Sequence, residues 1–133
     1  MSVTYISTVL RNSVYERAQG LCEYCLIDEE ISFAKHQIDH VIAEKHGGET
    51  VEENLALSCA ICNKHKGSDI ASIDGETGAI VPLFNPRTAV WGEHFVIENG
   101  TFIGLTPNAR ATIRLLQINS SARIEERKLW NVK

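Results

Sequence analysis

Two Cys-x-x-Cys pairs constrain this chain more than any other feature of its sequence. One pair is CEYC, with Cys22 and Cys25, and the other is CAIC, with Cys59 and Cys62. Four thiolates complete the tetrahedral shell of a structural Zn²⁺ ion, and in a reducing compartment such pairs indicate metal ligands before disulfides. The alternatives are a redox-active pair or four unrelated buried thiols. We predict one structural zinc ion that is bound by all four cysteines.

The segment that leads into the second pair has the pattern of two strands and a helix. Residues 36–42, HQIDHVI, are predicted to form a strand, and residues 55–59, LALSC, a second strand. A glycine-containing loop separates them. Residues 60–67, AICNKHKG, are predicted to form a helix that ends at its glycine. The order is therefore strand, loop, strand, helix.

Four polar residues of this segment carry ligand or proton-transfer groups. Asp39 offers a carboxylate suited to Mg²⁺ or Mn²⁺, and the imidazole of His40 can act as a general base near neutral pH. Adjacent strand residues point to opposite sides, so both reach one cleft only if the strand end is bent. Asn54 can donate and accept, and is predicted to hold the loop backbone. Asn63, in the first helical turn, offers a second oxygen ligand.

The remaining sequence predicts an α+β fold with an N-terminal helix and a C-terminal hairpin plus helices. Residues 7–19 have helical spacing, with Ser7 as the N-cap. Residues 72–87 are predicted to form a turn, a strand and a turn, and residues 94–106 a hairpin around Asn-Gly. Two helices are predicted to follow, at 106–118 and 120–130.

Length and composition predict a single domain over residues 1–133, with the core motif at about 20–70 and an extension at about 71–133. No apolar run approaches the roughly 20 residues of a membrane helix. The start has no basic region typical of a signal peptide. We therefore expect a cytoplasmic protein without a membrane partner.

The net charge of −4 is unusual for a protein that binds nucleic acid. The distribution is uneven, because residues 1–60 carry a net charge of −6 and residues 61–133 a net charge of +2. We expect weak, salt-sensitive contacts to phosphates from basic side chains after residue 60. The candidates near the Cys-rich segment and the C-terminus are Lys64, Lys66, Arg87, Arg110, Arg114, Arg123, Arg127 and Lys128.

The pattern IDH…GG…NL…CAICNKHK between Cys-x-x-Cys pairs resembles the HNH endonuclease family, in an HNN version, over roughly residues 22–67. The resemblance implies a ββα-metal fold that hydrolyses DNA with Mg²⁺ or Mn²⁺ and leaves 5′-phosphate and 3′-hydroxyl ends. It implies that His40 is the general base, that Asp39 and Asn63 hold the metal, and that Asn54 positions the loop. The later pattern LFNPR…W…HF…GLT…RAT is similar to the extension of bacterial HNH proteins, with Ala109 where those have Gly.

Two classes of function remain open at this point. The intact Asp39, His40, Asn54 and Asn63 favour a nuclease. The acidic net charge favours a non-catalytic zinc-stabilised module that binds nucleic acid or protein, or a nuclease that needs a partner protein for targeting. The preference for DNA over RNA is also open, as are the roles of four further residues, namely His36, His65, Arg87 and His94.

Overall fold

The computed structural model describes residues 4–130, and the chain divides into two compact units between Ile70 and Ala71. We call them the N-terminal unit (residues 1–70) and the C-terminal unit (residues 71–133). Helices and small antiparallel hairpins make up both units, which confirms the α+β class. Within residues 4–130, no helix is long and apolar enough to cross a membrane.

The N-terminal unit begins with helix α1, Thr8–Ala18. The Ser7 hydroxyl accepts a hydrogen bond from the Leu10 amide at 3.2 Å, as expected of an N-cap. Gln19 and Gly20 follow the helix in left-handed conformations, with φ of 56° and 75°. A glycine at such a position ends a helix without steric cost, so both predicted ends of α1 are confirmed.

The two strands and the helix of the Cys-rich segment are present in the predicted order. Strand β1, Gln37–His40, pairs antiparallel with strand β2, Leu55–Ser58. Helix α2, Ala60–Lys66, follows directly and ends at Gly67, whose φ is 51°. Short 3-10 turns fill the connections, at Glu29–Ile31, Glu44–His46 and Glu52–Asn54.

The apolar core of the N-terminal unit is small. Val14 of α1 packs against Leu55 and Leu57 of β2, and all three are fully buried. Partly buried side chains surround this trio, namely Leu10, Tyr15, Ala18 and Ile38. Every residue of β2 is buried, so the face of the strand that points away from Leu55 and Leu57 is also covered.

The C-terminal unit contains two antiparallel hairpins, formed by β3 (Ala71–Ile73) with β4 (Ile80–Pro82) and by β5 (Phe95–Glu98) with β6 (Thr101–Gly104). The second hairpin turns at Asn99 and Gly100, both with positive φ, as Asn-Gly turns require. The first hairpin corrects the prediction of a single strand within residues 72–87. Its strands have three residues each, too few for a periodic signal, and the turn between them depends on Asp74.

Three helices complete the C-terminal unit. A short helix α3, Trp91–His94, was not predicted. Helix α4, Pro107–Leu115, begins as predicted, because the Thr106 hydroxyl accepts a hydrogen bond from the Ala109 amide at 3.1 Å. Helix α5, Ser121–Trp130, is the last element.

Aromatic rings form the interior of the C-terminal unit. Phe95 is 1% exposed and lies at its centre, with ring centroids 5.1 Å from Phe84, 5.2 Å from Trp91 and 5.8 Å from Phe102. Most of these pairs have the edge-to-face geometry that aromatic rings prefer. Phe95 and Phe102 are buried, and Trp91 is half-buried beside them.

Arg123 and Arg127 of α5 are buried, which corrects the expectation that they contact phosphates. Arg123 donates to the Leu116 carbonyl at 2.8 Å. Arg127 donates to the Ile118 carbonyl at 3.0 Å, and its guanidinium lies 4.7 Å from the Phe102 ring centroid. The carbonyls at and after the end of a helix need donors from outside that helix, and α5 supplies them with these side chains.

Candidate active site

The four cysteines are buried and lie together. Their Sγ atoms all fall within 4.8 Å of one another, and the Cys25 and Cys59 sulfurs are 3.6 Å apart. A tetrahedron with Zn–S bonds of about 2.3 Å has sulfurs separated by about 3.8 Å. Four free thiols at this spacing, with Cys22 and Cys62 fully buried, fit the shell of a structural zinc ion.

Local hydrogen bonds hold both Cys-x-x-Cys pairs in the same way. The Cys25 amide donates to the Cys22 sulfur at 3.5 Å, and the Cys62 amide donates to the Cys59 sulfur at 3.4 Å. Cys59 is also the N-cap of α2. Hydrogen bonds from the other three thiols lower the pKa of Cys59, while burial raises the pKa of Cys22.

Asp39 lies on the side of β1 that faces α2, and it is 4% exposed. Its carboxylate accepts a hydrogen bond from the Tyr24 hydroxyl at 2.9 Å and forms an ion pair with Lys66 at 3.2 Å. Burial raises the pKa of Asp39, and the ammonium of Lys66 opposes that rise. Tyr24 lies between the cysteines of the first pair, so it connects the four-cysteine cluster directly to this carboxylate.

Asn63 lies on the same side of β1 as Asp39. Its amide nitrogen donates to the side-chain oxygen of Gln37, and Gln37 shares a face of the strand with Asp39, two residues on. Asn63 and Lys66 are three residues apart in α2 and share a helix face. Two side-chain pairs therefore connect β1 to α2, Gln37 with Asn63 and Asp39 with Lys66.

This arrangement fits an oxygen-ligated divalent ion. Among residues 4–130, the side-chain oxygen of Asn63 accepts no hydrogen bond. The carboxylate of Asp39 has about four lone-pair sites, and Tyr24 and Lys66 leave some of them free. Carboxylate and amide oxygens are the ligands that Mg²⁺ and Mn²⁺ prefer.

His40 has a different set of neighbours from Asp39. It is 7% exposed, and its Nε2 atom lies 2.9 Å from the Thr50 hydroxyl in the loop. The pairing of β1 with β2 is regular through His40 and Leu55, so the two adjacent side chains leave the strand on opposite sides. The ladder ends at His40, and the backbone bends directly after it, at Val41 and Ile42.

Asn54 holds the loop, as its amide group led us to expect. Its oxygen accepts from the Ile42 amide at 2.9 Å, and its nitrogen donates to the carbonyls of Ile42 and Glu49, both at 2.9 Å. Gly48 makes room for these bonds, because a Cβ atom there would lie 1.7 Å from the Ile42 carbonyl oxygen. Gly47 instead supplies a turn, with φ of 92°.

Three residues of this region were missed or misassigned from sequence. Lys66 was predicted to contact phosphate, but it is 2% exposed and bonded internally. Its spacing of three from Asn63 could have shown that it faces β1. Tyr24 and Thr50 were missed, and neither has a sequence signal beyond, for Tyr24, its place between two cysteines.

Three of the other histidines contact the backbone or a hydroxyl near them. His36 is 4% exposed and donates to the Ile27 carbonyl at 2.9 Å. His46 is exposed and bonds the Ser68 carbonyl at 3.2 Å. His94, in the C-terminal unit, bonds the Thr106 hydroxyl at 2.7 Å. These contacts are local to each residue's own unit.

Comparison with known proteins agrees with this geometry. The family model described as HNH endonuclease matches residues 22–69. The matched segment contains all four cysteines together with β1, β2 and α2. No curated protein matches the chain. Residues 22–69 therefore form a domain of the HNH endonuclease family.

Proposed function

We propose that this protein is a metal-dependent endonuclease that hydrolyses phosphodiester bonds in DNA, with residues 1–133 acting as one nuclease domain. The observation that carries the proposal is the placement of Asp39 and Asn63 on facing elements beside a four-cysteine cluster, within a segment of HNH type. A module that only binds would have no need of this set of residues together.

In this proposal His40 is the general base. When Nε2 carries the ring proton and donates it to Thr50, Nδ1 holds the free lone pair that accepts a proton from water. Among residues 4–130, Nδ1 has no hydrogen-bond partner. Asn54 fixes the backbone two residues beyond His40 through its bonds to Ile42, and so keeps the imidazole in place.

Asp39 and Asn63 would hold the divalent ion, Mg²⁺ or Mn²⁺. When bound, such an ion supplies Lewis-acid stabilisation of the charge that develops on the phosphate. Tyr24 and Lys66 orient the Asp39 carboxylate through their hydrogen bonds. Zinc on the four cysteines would be structural, because four thiolates leave no open position.

Contacts to DNA would be made mainly to phosphates, and they would be weak and salt-sensitive. The structure reduces the set of cations available for them, since Lys66, Arg123 and Arg127 are buried. Lys64, Arg114 and Lys128 remain exposed. With so few exposed cations, a partner protein could supply targeting. We place the protein in the cytoplasm, where reduced cysteines can bind zinc.

Nicking of supercoiled plasmid with Mg²⁺, with Mn²⁺ and with EDTA tests this proposal. His40→Ala should lose roughly 10²–10⁴ in rate, the usual contribution of a positioned base, with zinc content and fold unchanged. Asp39→Ala should also be inactive, and it should bind Mn²⁺ more weakly. His46→Ala, a substitution at an exposed loop histidine, should cut at the wild-type rate.

Two results would contradict the proposal. If His40→Ala cuts as fast as the wild type, His40 is not the base. If the wild type cuts neither DNA nor RNA with any divalent ion, the non-catalytic zinc-stabilised binding module becomes the better description. The net charge of −4 is the observation that favours this second candidate.

A further inference from the structure

We propose that Lys66 is a positioning residue of the nuclease site, where its ammonium group fixes the end of β1 and thereby the direction of His40. The inference rests on the proposed function, since it assigns Lys66 a part in the same reaction. It replaces the expectation from sequence that Lys66 contacts phosphate.

The ammonium group of Lys66 has three acceptors in three consecutive residues. Its Nζ atom lies 3.2 Å from the Asp39 carboxylate, 3.3 Å from the His40 carbonyl and 3.1 Å from the Val41 carbonyl. A lysine ammonium has three N–H donors, so each can be used within the protein. With 2% of its surface exposed, Lys66 has no access to a DNA phosphate.

A fully buried lysine is rare, and stability alone is a weak explanation for it. Removing an ammonium from water is costly even when it is paired, and apolar replacements of buried ion pairs are often neutral or stabilising. The site therefore has a requirement that an apolar side chain would not meet. That requirement is a donor for the two carbonyls at the point where β1 ends.

These carbonyls belong to the residues that set the path of the chain around His40. The ladder between β1 and β2 ends at His40. Beyond it, the Val41 amide donates to the Asn54 carbonyl at 2.8 Å, and the Ile42 amide donates to the Asn54 side chain at 2.9 Å. Lys66 on one side and Asn54 on the other thus bond every residue from Asp39 to Ile42.

Because His40 lies inside this doubly held segment, its imidazole direction depends on Lys66. Asn63, three residues earlier in α2, bonds Gln37 at the other end of β1. One helix face therefore carries a proposed metal ligand and the group that orients the proposed base. Loss of the ammonium should misplace His40 without removing any atom that reacts.

The experiment compares Lys66→Met with Lys35→Met, an exposed lysine of the same unit. NMR of the zinc-loaded, Mg²⁺-free protein follows the His40 ring signals and the amides of residues 40–42. Lys66→Met should shift these signals, and should lower kcat for plasmid nicking about 10–100-fold, the usual effect of a lost orienting partner. The KM for DNA should stay unchanged, because Lys66 does not contact phosphate. Lys35→Met should change none of these.

The Lys66→Met substitution leaves the Asp39 carboxylate buried and unpaired, and could therefore misfold the protein. A second variant controls for this. Asp39→Asn removes that charge, and adding Lys66→Met to it should still shift the His40 ring signals, since both carbonyls lose their donor. The inference is overturned if the added substitution shifts nothing, or if Lys66→Met raises KM with kcat unchanged. If the signals shift but even the wild type cuts no nucleic acid, the proposed function fails and the positioning of His40 by Lys66 stands.

Discussion

The two units of this protein reach a stable interior by different means. In the N-terminal unit, a trio of apolar side chains, Val14, Leu55 and Leu57, is accompanied by a buried four-cysteine cluster. In the C-terminal unit, aromatic rings pack around Phe95, and no metal-binding cluster occurs among its described residues. Small folded units commonly need a metal or a disulfide when their apolar core is small.

This difference between a cysteine cluster and an aromatic core explains why the candidate site lies in the N-terminal unit. Asp39, His40 and Lys66 are all buried, and such groups would weaken a core that depended on apolar packing alone. A zinc ion on the four cysteines would supply folding free energy independently of apolar area, and would let the interior accommodate polar groups. In the C-terminal unit, the buried Arg123 and Arg127 instead bond backbone carbonyls.

Removal of zinc should separate the two units most strongly. Apparent binding free energies of structural zinc are about 10–16 kcal/mol, comparable to the whole stability of a small domain. A chelator, or Cys59→Ser, should therefore unfold the N-terminal unit. Amide hydrogen exchange should show loss of protection in α1, β1, β2 and α2, while the aromatic core of the C-terminal unit stays protected. The purified protein should contain about one zinc per chain.

The comparison fails if protection in both units disappears together on chelation. Stoichiometric disulfides with no bound metal in the purified protein would also contradict it.

A substitution in the aromatic core should have the opposite pattern. Phe95→Ala removes the ring at the centre of the cluster, and should destabilise the C-terminal unit by about 3–5 kcal/mol. The zinc content should not change. Phe33→Ala, at a phenylalanine that is 86% exposed, is the matched control and should cost less than about 0.5 kcal/mol. Denaturant unfolding followed by NMR of each unit, with zinc analysis, measures both.

Acid should distinguish the units by a smaller effect. Arg110 bonds both oxygens of Asp74, at 2.8 and 3.0 Å, and these bonds lower the pKa of Asp74. A carboxyl group whose pKa is lowered by folding stabilises the protein above its unfolded pKa of about 3.9, and that stabilisation is lost as the pH falls through the folded pKa. As the pH falls, the cysteine thiolates are protonated and release zinc before the pH is low enough to protonate Asp74.

We therefore expect the N-terminal unit to unfold first as the pH falls from 7 toward 3. Asp74→Asn should weaken the C-terminal unit at pH 7 and remove part of its loss of stability below about pH 4. Circular dichroism and NMR across this range would check the order. Loss of the C-terminal unit before zinc release would reverse the comparison.

The sequence predicted most of the fold because its signals were local. Ser7 and Thr106 are N-caps, and Asn99 with Gly100 forms a hairpin turn, each with its own hydrogen-bond or conformational reason. The β3–β4 hairpin and helix α3 have three or four residues per element, too short for periodicity. Their formation depends on contacts distant in sequence, such as Asp74 with Arg110.

The site was predicted in part for the same reason. The cysteine cluster and the Asn54 bonds follow from residue type and spacing. The partners of Asp39 and His40 could not be predicted in this way, because Tyr24, Thr50 and Lys66 are 10 to 27 positions away from them in the chain. A lysine near a candidate site suggests phosphate binding by its charge, and only its burial shows that the charge is used internally.

The adjacent glycines of the loop differ in what they would tolerate in a library of variants. Gly47 needs a left-handed backbone, which asparagine and aspartate also adopt, so several residues could replace it. At Gly48 the space is filled by the Ile42 carbonyl and the Asn54 side chain, and no side chain avoids that overlap. Sequence variation selected for a working loop should therefore accumulate at position 47 and stop at position 48.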